Sequence, residues 1–218
     1  MAGGELTPEQ FRVWVEARNI RTSMPGVRGI GFIKRVERHD LEAFIRAERA
    51  KGATDFSVRT TGDAADLYII SRIEPLSNNR KAWGYDVGSE SVRRAAAEAA
   101  VSTGQPTLTG RVTLLQDGTK RPGFLYFYPV FRQGTNPVTA AERKAALVGL
   151  VYAPIVAQEL LGDIVSSYAG QLHYGLFDGS GLDAAELLVG DPHQNGARFE
   201  RQQVLTIGSR ALTLDMGS

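Results

Sequence analysis

The sequence has no cysteine, no excess charge of either sign and no long apolar run, and each absence excludes a class of protein. Without cysteine there is no disulfide, no thiolate nucleophile and no thiolate metal site. The 25 Lys and Arg residues nearly equal the 24 Asp and Glu residues, which gives no electrostatic basis for binding nucleic acid or an anionic membrane. No stretch approaches the roughly 18 apolar residues of a membrane-spanning helix. We therefore expect the chain as given to be soluble and to recognise its partner through a shaped site.

Motifs for catalysis, metal binding and cofactor binding are also missing. The three histidines, His39, His173 and His193, lie far apart in the sequence, so we predict no metal site. There is no G-x-S-x-G elbow and no other nucleophile–base arrangement, so we predict no enzymatic activity. The pattern GSGLDA, residues 179–184, matches a dinucleotide-binding turn, but glycine and proline interrupt the helix that must follow it. We interpret it as a solvated turn and predict no cofactor.

The N-terminal segment is the most clearly marked element. The motif LTPEQF is a capping box with Thr7 as its N-cap. Phe11, Trp14 and Val15 follow at helical spacing and form one apolar face. The pattern predicts an amphipathic helix that ends at about Asn19. A lone helix of this length needs a partner or a domain to cover that face.

Strands and helices then follow in two blocks, which predicts the α+β class with antiparallel sheets and helices on one side. Strands are predicted at GIGFIKRV, FSVRT, DLYIISRIEP, AWGYDV, TLTGRVTLL and GFLYFYPVF in the first block, and at LVGLVYA, LHYGLFD, FERQQVLTIG and RALTLDM in the second. Helices are predicted from Asp40, from about Glu90 to Thr103, from Thr139 to about Ala145 and from about Pro154 to Tyr168. The polar segment RQGTNPVTAAERKA predicts a boundary between the blocks.

One acidic residue in the first block has two possible roles. Asp86 ends an apolar strand in AWGYDVGSES and precedes a turn of small residues that enters a helix. In a structural role it accepts hydrogen bonds from backbone N–H groups of that turn. In a functional role it faces an apolar pocket and accepts hydrogen bonds from a ligand amine or heterocyclic N–H. The residues alone favour the structural role and leave the functional one open.

The order of motifs resembles the CHASE domain, the extracytoplasmic sensory module of receptor histidine kinases, cyclases and diguanylate cyclases. The motifs are PGVRGIGFIKRV, LYIISRIEPL, GYDVGSESVRRAAAEAAVSTGQPTLTGRVTLL, GFLYFYPV, LVGLVYAPIVAQELL and LFDG. The resemblance implies a stalk helix (residues 5–25), a membrane-distal PAS-like subdomain with the ligand pocket (26–132) and a membrane-proximal PAS-like subdomain (133–218). It also implies a position between two transmembrane helices outside this chain, on the periplasmic or extracellular face of the inner membrane. The Ala-, Arg- and Gly-rich composition indicates a bacterial source.

The family includes the ligand domain of plant cytokinin receptors, and this implies a binding site. In those members an aspartate matching Asp86 pairs with the adenine moiety, and a leucine matching Leu108 lines the pocket. Strand position adds Tyr68, Trp83 and Tyr126 as candidate walls.

Two departures from the cytokinin-binding members indicate a smaller or differently shaped ligand. Their ligand-contacting threonine matches Gly118 here, with Thr119 adjacent. Tyr126 and Phe127 stand where those receptors have smaller residues.

Two functions follow as hypotheses. In the first, the chain is a non-catalytic sensor domain that binds a small molecule, an adenine derivative or another N–H donor heterocycle or amine. In the second, it is a structural dimerisation module with no ligand, and Phe11, Trp14 and Val15 form the self-association surface. A homodimer through the N-terminal helix is expected in both. The hypotheses differ in whether Asp86 faces an open cavity or lies against backbone donors with no cavity.

Overall fold

Two antiparallel sheets organise the chain in the computed structural model, which describes residues 7–115, 121–160, 173–191 and 199–218. The strands are β1 (Ile30–Glu37), β2 (Asp66–Glu74), β3 (Thr107–Leu108), β4 (Val112–Thr113), β5 (Pro122–Phe131), β6 (Leu147–Val156), β7 (His173–Asp178), β8 (Leu187–Asp191), β9 (Glu200–Ile207) and β10 (Arg210–Gly217). The helices are α1 (Pro8–Glu16), α2 (Ile20–Ser23), α3 (Leu41–Ala50), α4 (Leu76–Asn79), α5 (Ser91–Thr103), α6 (Ala140–Ala146) and α7 (Ala157–Leu160). The predicted α+β class with antiparallel sheets is confirmed.

The first sheet has six strands in the order β2-β1-β6-β5-β3, with β4 also paired to β5. Its strand β6 comes from the motif LVGLVYA, which the sequence predicts in the second block. In the structure β6 pairs with β1 on one side and with β5 on the other. The predicted boundary at residues 132 and 133 therefore falls between two neighbouring strands of one sheet.

Helices cover both faces of the first sheet, in contrast to the one-sided arrangement predicted. On one face, the side chains of Ile33, Leu125 and Phe127 pack with α5 and the residues before it in one buried cluster. On the other face, α1 and α3 pack over β1 and β2. Beside them, Phe124 contacts the second sheet. The alternation along β5 explains this division, since successive side chains of a strand point to opposite faces.

The predicted capping box at the start of α1 is confirmed. The Thr7 hydroxyl accepts from the backbone N–H of Gln10, and the Gln10 side chain accepts from the backbone N–H of Thr7. The helix ends at Glu16 rather than at Asn19, because Asn19 adopts a left-handed conformation with φ of 49°. Within the predicted stalk helix (residues 5–25) the chain therefore forms two helices, α1 and α2, and the stalk helix is not confirmed.

The apolar face of α1 packs against its own chain. Phe11 and Val15 are buried in one cluster with Ile20 and Ile30. Trp14 is 38% exposed, and its ring stacks on that of Phe11 with centroids 6.1 Å apart. Most of the surface that the sequence offers for self-association is therefore covered by the sheet.

Several predicted elements differ from the structure. The segment TLTGRVTLL, predicted as one strand, forms two short ones, β3 and β4. The segments FSVRT and AWGYDV are not strands; among the described residues they form isolated bridges, Arg59 with Tyr85 and Ile69 with Asp86. Residues 154–156, predicted as the start of a helix, continue β6 instead, and α7 begins at Ala157. The rest of that predicted helix lies outside the described residues.

The second sheet has the strand order β8-β7-β10-β9, and its predicted hairpin from β9 to β10 is confirmed. The hairpin turn contacts the first sheet, because the Gly208 carbonyl accepts a hydrogen bond of 2.8 Å from the backbone N–H of Leu108. A side chain at Gly208 would come within 2.7 Å of the Leu108 nitrogen, so glycine permits this close approach. The turn thus joins the second sheet to β3.

Candidate functional site

Asp86 is fully buried, and both of its carboxylate oxygens have hydrogen-bond partners within the chain. Oδ1 accepts from the backbone N–H groups of Tyr68 at 2.8 Å and Gly88 at 2.9 Å. Oδ2 accepts from the hydroxyl of Thr60 at 2.8 Å and from that of Ser89 at 3.2 Å. The carboxylate therefore joins β2, the segment before it and the turn that enters α5.

The backbone around Asp86 is held by main-chain bonds on both sides. The backbone N–H of Gly84 donates to Ile70 in β2, and that of Asp86 donates to Arg59. Gly84 has a backbone φ of +75°, a conformation that residues other than glycine rarely adopt. We call residues 82–90 the Asp86 segment, and its position depends on this glycine and on the buried carboxylate.

Replacing Gly84 by alanine is expected to destabilise the fold by about 2 kcal/mol more than replacing Gly62 by alanine, since added core bulk costs 1–3 kcal/mol. The two glycines have nearly equal φ, +75° and +77°, so the backbone strain of the substitution is matched. They differ in space: a side chain at Gly84 would lie 1.9 Å from the Ser57 carbonyl oxygen, whereas at Gly62 it would meet nothing within 4 Å. Urea unfolding of both variants measures the difference. Equal losses would show that the Asp86 segment is free to shift.

Beneath the Asp86 segment, a small cavity lies between the first sheet and α5. Its volume is about 10 Å³, close to the minimum for one water molecule. It is lined by Ile70, Ala82, Tyr85, Val87, Arg93, Leu114, Leu115, Leu125 and Tyr152. In this conformation the site is closed to any larger molecule.

A buried hydroxyl in the lining of this cavity has no partner among the described residues. Tyr152 is 1% exposed, and its hydroxyl makes no hydrogen bond there. Burial raises the pKa of the Tyr152 phenol well above its ordinary value, so the group stays a neutral donor and acceptor. Buried polar atoms almost always have a partner in native structures, so this hydroxyl indicates a position where one can enter.

The cavity also has a buried cation. Arg93 is 7% exposed, and its guanidinium donates to the carbonyl oxygen of Thr113 at 2.7 Å. It lies 5.8 Å from the ring centroid of Tyr85 and 3.4 Å from a carboxylate oxygen of Glu90. Tyr152, Arg93 and Tyr85 thus line the cavity together with apolar side chains.

Two of the other predicted ligand residues, Tyr68 and Trp83, lie near Asp86. The ring of Tyr68 is buried in the same cluster as Tyr152, and burial raises the pKa of the Tyr68 phenol to about 12. Trp83 packs against Phe56 with ring centroids 5.2 Å apart, and its indole N–H donates to the Ser71 carbonyl oxygen. Tyr68 and Trp83 thus lie on either side of the Asp86 segment, because Trp83 also packs with the cluster beneath α3.

Leu108 and Tyr126, the other two predicted residues, lie on the opposite face of the sheet. They are paired across β3 and β5, and both pack with the second sheet near Leu212. None of the five predicted residues lines the cavity beneath the Asp86 segment in this conformation, although Tyr85 and Val87, the two neighbours of Asp86 in the sequence, do. Gly118 and Thr119 lie outside the described residues.

Sequence patterns did not identify Tyr152 or Arg93 as site residues. Tyr152 comes from β6, a strand predicted in the other block, and Arg93 lies in an alanine-rich helix where a charge normally faces solvent. The one available signal was the spacing of Arg93 before Ala96, Ala97 and Ala100, which places it on the buried face of α5.

Comparisons with known proteins agree with the resemblance seen in the sequence. The CHASE domain model matches residues 4–189 of the 218. No curated protein matches the chain. Among the described residues, no helix is long and apolar enough to span a membrane.

Proposed function

The chain belongs to the CHASE domain family of extracytoplasmic sensory domains, and we propose that it is the ligand-sensing domain of a transmembrane receptor of the histidine kinase or nucleotide cyclase type. The family match covers the whole first sheet, the strand β7 and the first three residues of β8. A sensory role needs a small-molecule site and an element that moves when the site is filled.

We place the ligand site at the cavity beneath the Asp86 segment. The observation that supports this choice is the buried Tyr152 hydroxyl without a partner, in a cavity that also has the Arg93 guanidinium. A volume of about 10 Å³ excludes any ligand larger than water, so the segment must move outward for binding. Binding then shifts the population from the closed to an open conformation by the difference in ligand affinity between the two.

In this proposal Asp86 exchanges part of its hydrogen bonds. Oδ1 keeps its backbone donors, while Oδ2 releases the hydroxyls of Thr60 and Ser89 and accepts from the ligand. Hydroxyls can rotate away from a carboxylate, whereas backbone donors are fixed by the fold. A ligand with adjacent N–H groups, such as an adenine derivative, another heterocycle or an amine, provides the replacement donors.

The two sheets define the proposed subdomains. We assign residues 26–156 to the membrane-distal PAS-like subdomain and residues 157–218 to the membrane-proximal one, because β6 belongs to the first sheet. Leu108 and Tyr126 then act at the contact between the sheets, where a shift of β3 and β5 reaches the hairpin turn at Gly208.

The second candidate function is a structural module that binds no small molecule. Two observations favour it: all four hydrogen bonds to Asp86 come from the chain itself, and the cavity holds at most one water molecule. Its dimer surface would have to use Val13 and Trp14, which remain 53% and 38% exposed, because Phe11 and Val15 are buried.

A thermal-shift screen separates the two functions. The parent protein, Thr60→Val and Tyr152→Phe are heated with adenine, N6-substituted adenines, other purines, amines and amino acids. A ligand at one hundred times its Kd adds about 2.7 kcal/mol to the stability of the state that binds it. Thr60→Val removes one hydroxyl that the ligand must displace, so we expect a larger ligand-induced rise in Tm than for the parent, and a smaller one for Tyr152→Phe.

Thr61→Val is the matched control for this screen. Thr61 is exposed and its neighbour Thr60 makes the bond to Asp86, so the control changes the same residue type one position away. No shift with any compound, in the parent or in Thr60→Val, would favour the structural module.

A further inference from the structure

A second and larger opening lies at the end of β2, on the side of the first sheet that α1 and α3 cover. We call it the Glu74 pocket, and its volume is about 450 Å³, within the usual range for small-molecule sites. Its walls come from the start of α1, the loop after α3, the last residues of β2, and Leu76 and Trp83. In contrast to the cavity beneath Asp86, it has room for a small molecule in this conformation.

Glu74 contributes a carboxylate to this pocket, and that carboxylate has one hydrogen bond. Its Oε2 atom accepts from the backbone N–H of Leu76 at 3.1 Å. No ion pair and no second hydrogen bond reaches it from the residues that the structure describes. Lys51 and Arg72 also line the pocket, but they bind Glu48, at 3.1 and 2.5 Å. Glu74 therefore keeps acceptor positions for a ligand, since a carboxylate can accept about four hydrogen bonds.

The surroundings of Glu74 favour a further cation. Burial raises the pKa of its carboxyl group, and the carboxylates of Glu16 and Glu9 raise it further. The hydrogen bond from Leu76 and the charge of Arg12 oppose this rise. Arg12, however, already binds Glu9 at 2.5 Å and lies 3.5 Å from Glu16. A cation bound in the pocket would therefore stabilise the charged form of Glu74.

One wall of the pocket is apolar and held in place. The ring of Trp83 packs against Phe56 with centroids 5.2 Å apart, and its indole N–H donates to the Ser71 carbonyl oxygen at 3.1 Å. Ile73 and Leu76 line the same pocket. Because Trp83 is fixed by packing and by a hydrogen bond within the chain, this apolar surface is formed before a ligand binds, which lowers the entropic cost of binding.

We propose that the Glu74 pocket binds an organic amine in its cationic form, with the ammonium group at the Glu74 carboxylate and the hydrocarbon part on Leu76 and Trp83. The two arguments are the acceptor positions of this carboxylate and the apolar wall of a pocket large enough for the ligand. The start of α1 lines the same pocket, so the bound amine contacts α1 as well as β2. The site needs no opening of the Asp86 segment and does not depend on the proposed function.

Titration calorimetry of the whole chain with phenethylamine against phenethyl alcohol, and butylamine against butanol, tests this proposal. Each pair has the same hydrocarbon part, and only the amine is charged at neutral pH. A hydrogen bond between an ammonium group and a carboxylate is charge-assisted, so we expect the amine to bind about tenfold or more tighter than the alcohol. Equal affinity for amine and alcohol in the parent protein would overturn the proposal.

Glu74→Gln is expected to remove most of the difference between amine and alcohol. Glutamine keeps the shape of the side chain and an acceptor for the Leu76 N–H, so the variant is expected to fold as the parent does. Glu42→Gln is the matched control, because Glu42 is an exposed glutamate of α3 outside the pocket lining, and it is expected to keep the difference. An unchanged preference for the amine in Glu74→Gln would reject Glu74 as the anchor and with it the proposal.

A second pair of variants tests the position of the ligand. Ala53→Trp fills the pocket and is expected to abolish amine binding, and Ala65→Trp is its control because Ala65 is exposed and outside the lining. An amine whose binding depends on Tyr152 and not on Glu74 would overturn this proposal and support the site beneath Asp86. Failure of the purine screen together with amine binding that requires Glu74 would reject the proposed function and leave this site standing.

Discussion

Replacing Asp86 by alanine is expected to lower the free energy of unfolding by about 4 kcal/mol, because each buried polar group left without its partner costs about 1–3 kcal/mol. The substitution leaves the backbone N–H groups of Tyr68 and Gly88 without an acceptor in a fully buried position. It also removes the acceptor of two hydroxyls. Urea unfolding followed by circular dichroism measures the loss.

Asp183→Ala is the matched control for this substitution. Asp183 also accepts a hydrogen bond from a backbone N–H two residues later, that of Ala185 at 2.9 Å, but it is exposed. Removing such an exposed cap costs about 1 kcal/mol or less. If the two variants lose the same stability, the network around Asp86 contributes nothing beyond an ordinary capping turn.

Replacing Glu48 by alanine is the second large effect, and we expect a loss of about 3–5 kcal/mol, the range for removing one partner of a buried ion pair. Glu48 is 2% exposed, and Arg72, its partner at 2.5 Å, is 12% exposed in its side chain. Alanine leaves the largely buried Arg72 guanidinium without this carboxylate and removes the bond from Lys51 to Glu48. Thermal and urea unfolding both report the change.

Two further variants define the cause of that loss. Glu98→Ala removes the exposed partner of Arg94 on α5, at 3.1 Å, and is expected to cost less than about 1 kcal/mol. Glu48→Gln keeps the shape of the side chain and removes only its charge, so its cost measures the charge contribution. A Glu48→Ala variant as stable as Glu98→Ala would show that water hydrates the Arg72 guanidinium once its carboxylate partner is removed.

Features set by neighbouring residues could be predicted from the sequence. The capping boxes at Thr7 and Thr139 form as predicted, since each depends on residues within one helical turn. Gly104 ends α5 with φ of +72°, as its position after the alanine-rich run predicts.

Strand partners could not be predicted in the same way. The pattern of β6 predicts a strand, but nothing in its residues specifies β1 and β5 as its neighbours. The segments FSVRT and AWGYDV have the composition of strands, yet Gly84 turns the chain and limits them to single bridges. Pairing depends on distant residues, and local composition contains little information about them.

The same limit applies to the candidate site. The structural role of Asp86 predicts a bond from the following turn, and the donor is Gly88. The Ser89 hydroxyl also lies in that turn, whereas the remaining donors, Tyr68 and Thr60, lie 18 and 26 residues before Asp86, outside any local pattern. Tyr152 reaches the cavity only because β6 joins the first sheet. Whether Asp86 also binds a ligand stays a prediction.

The position of β6 affects how the chain acquires its fold during synthesis. The strands that flank it, β1 and β5, do not pair with each other in the sheet order. Each therefore lacks one of its partner strands until β6 has been synthesised. In a nascent chain that has emerged only as far as β5, the edges of β1 and β5 that later bind β6 are exposed. Such distant pairing gives a high contact order, and slow folding with exposed edges is its usual consequence.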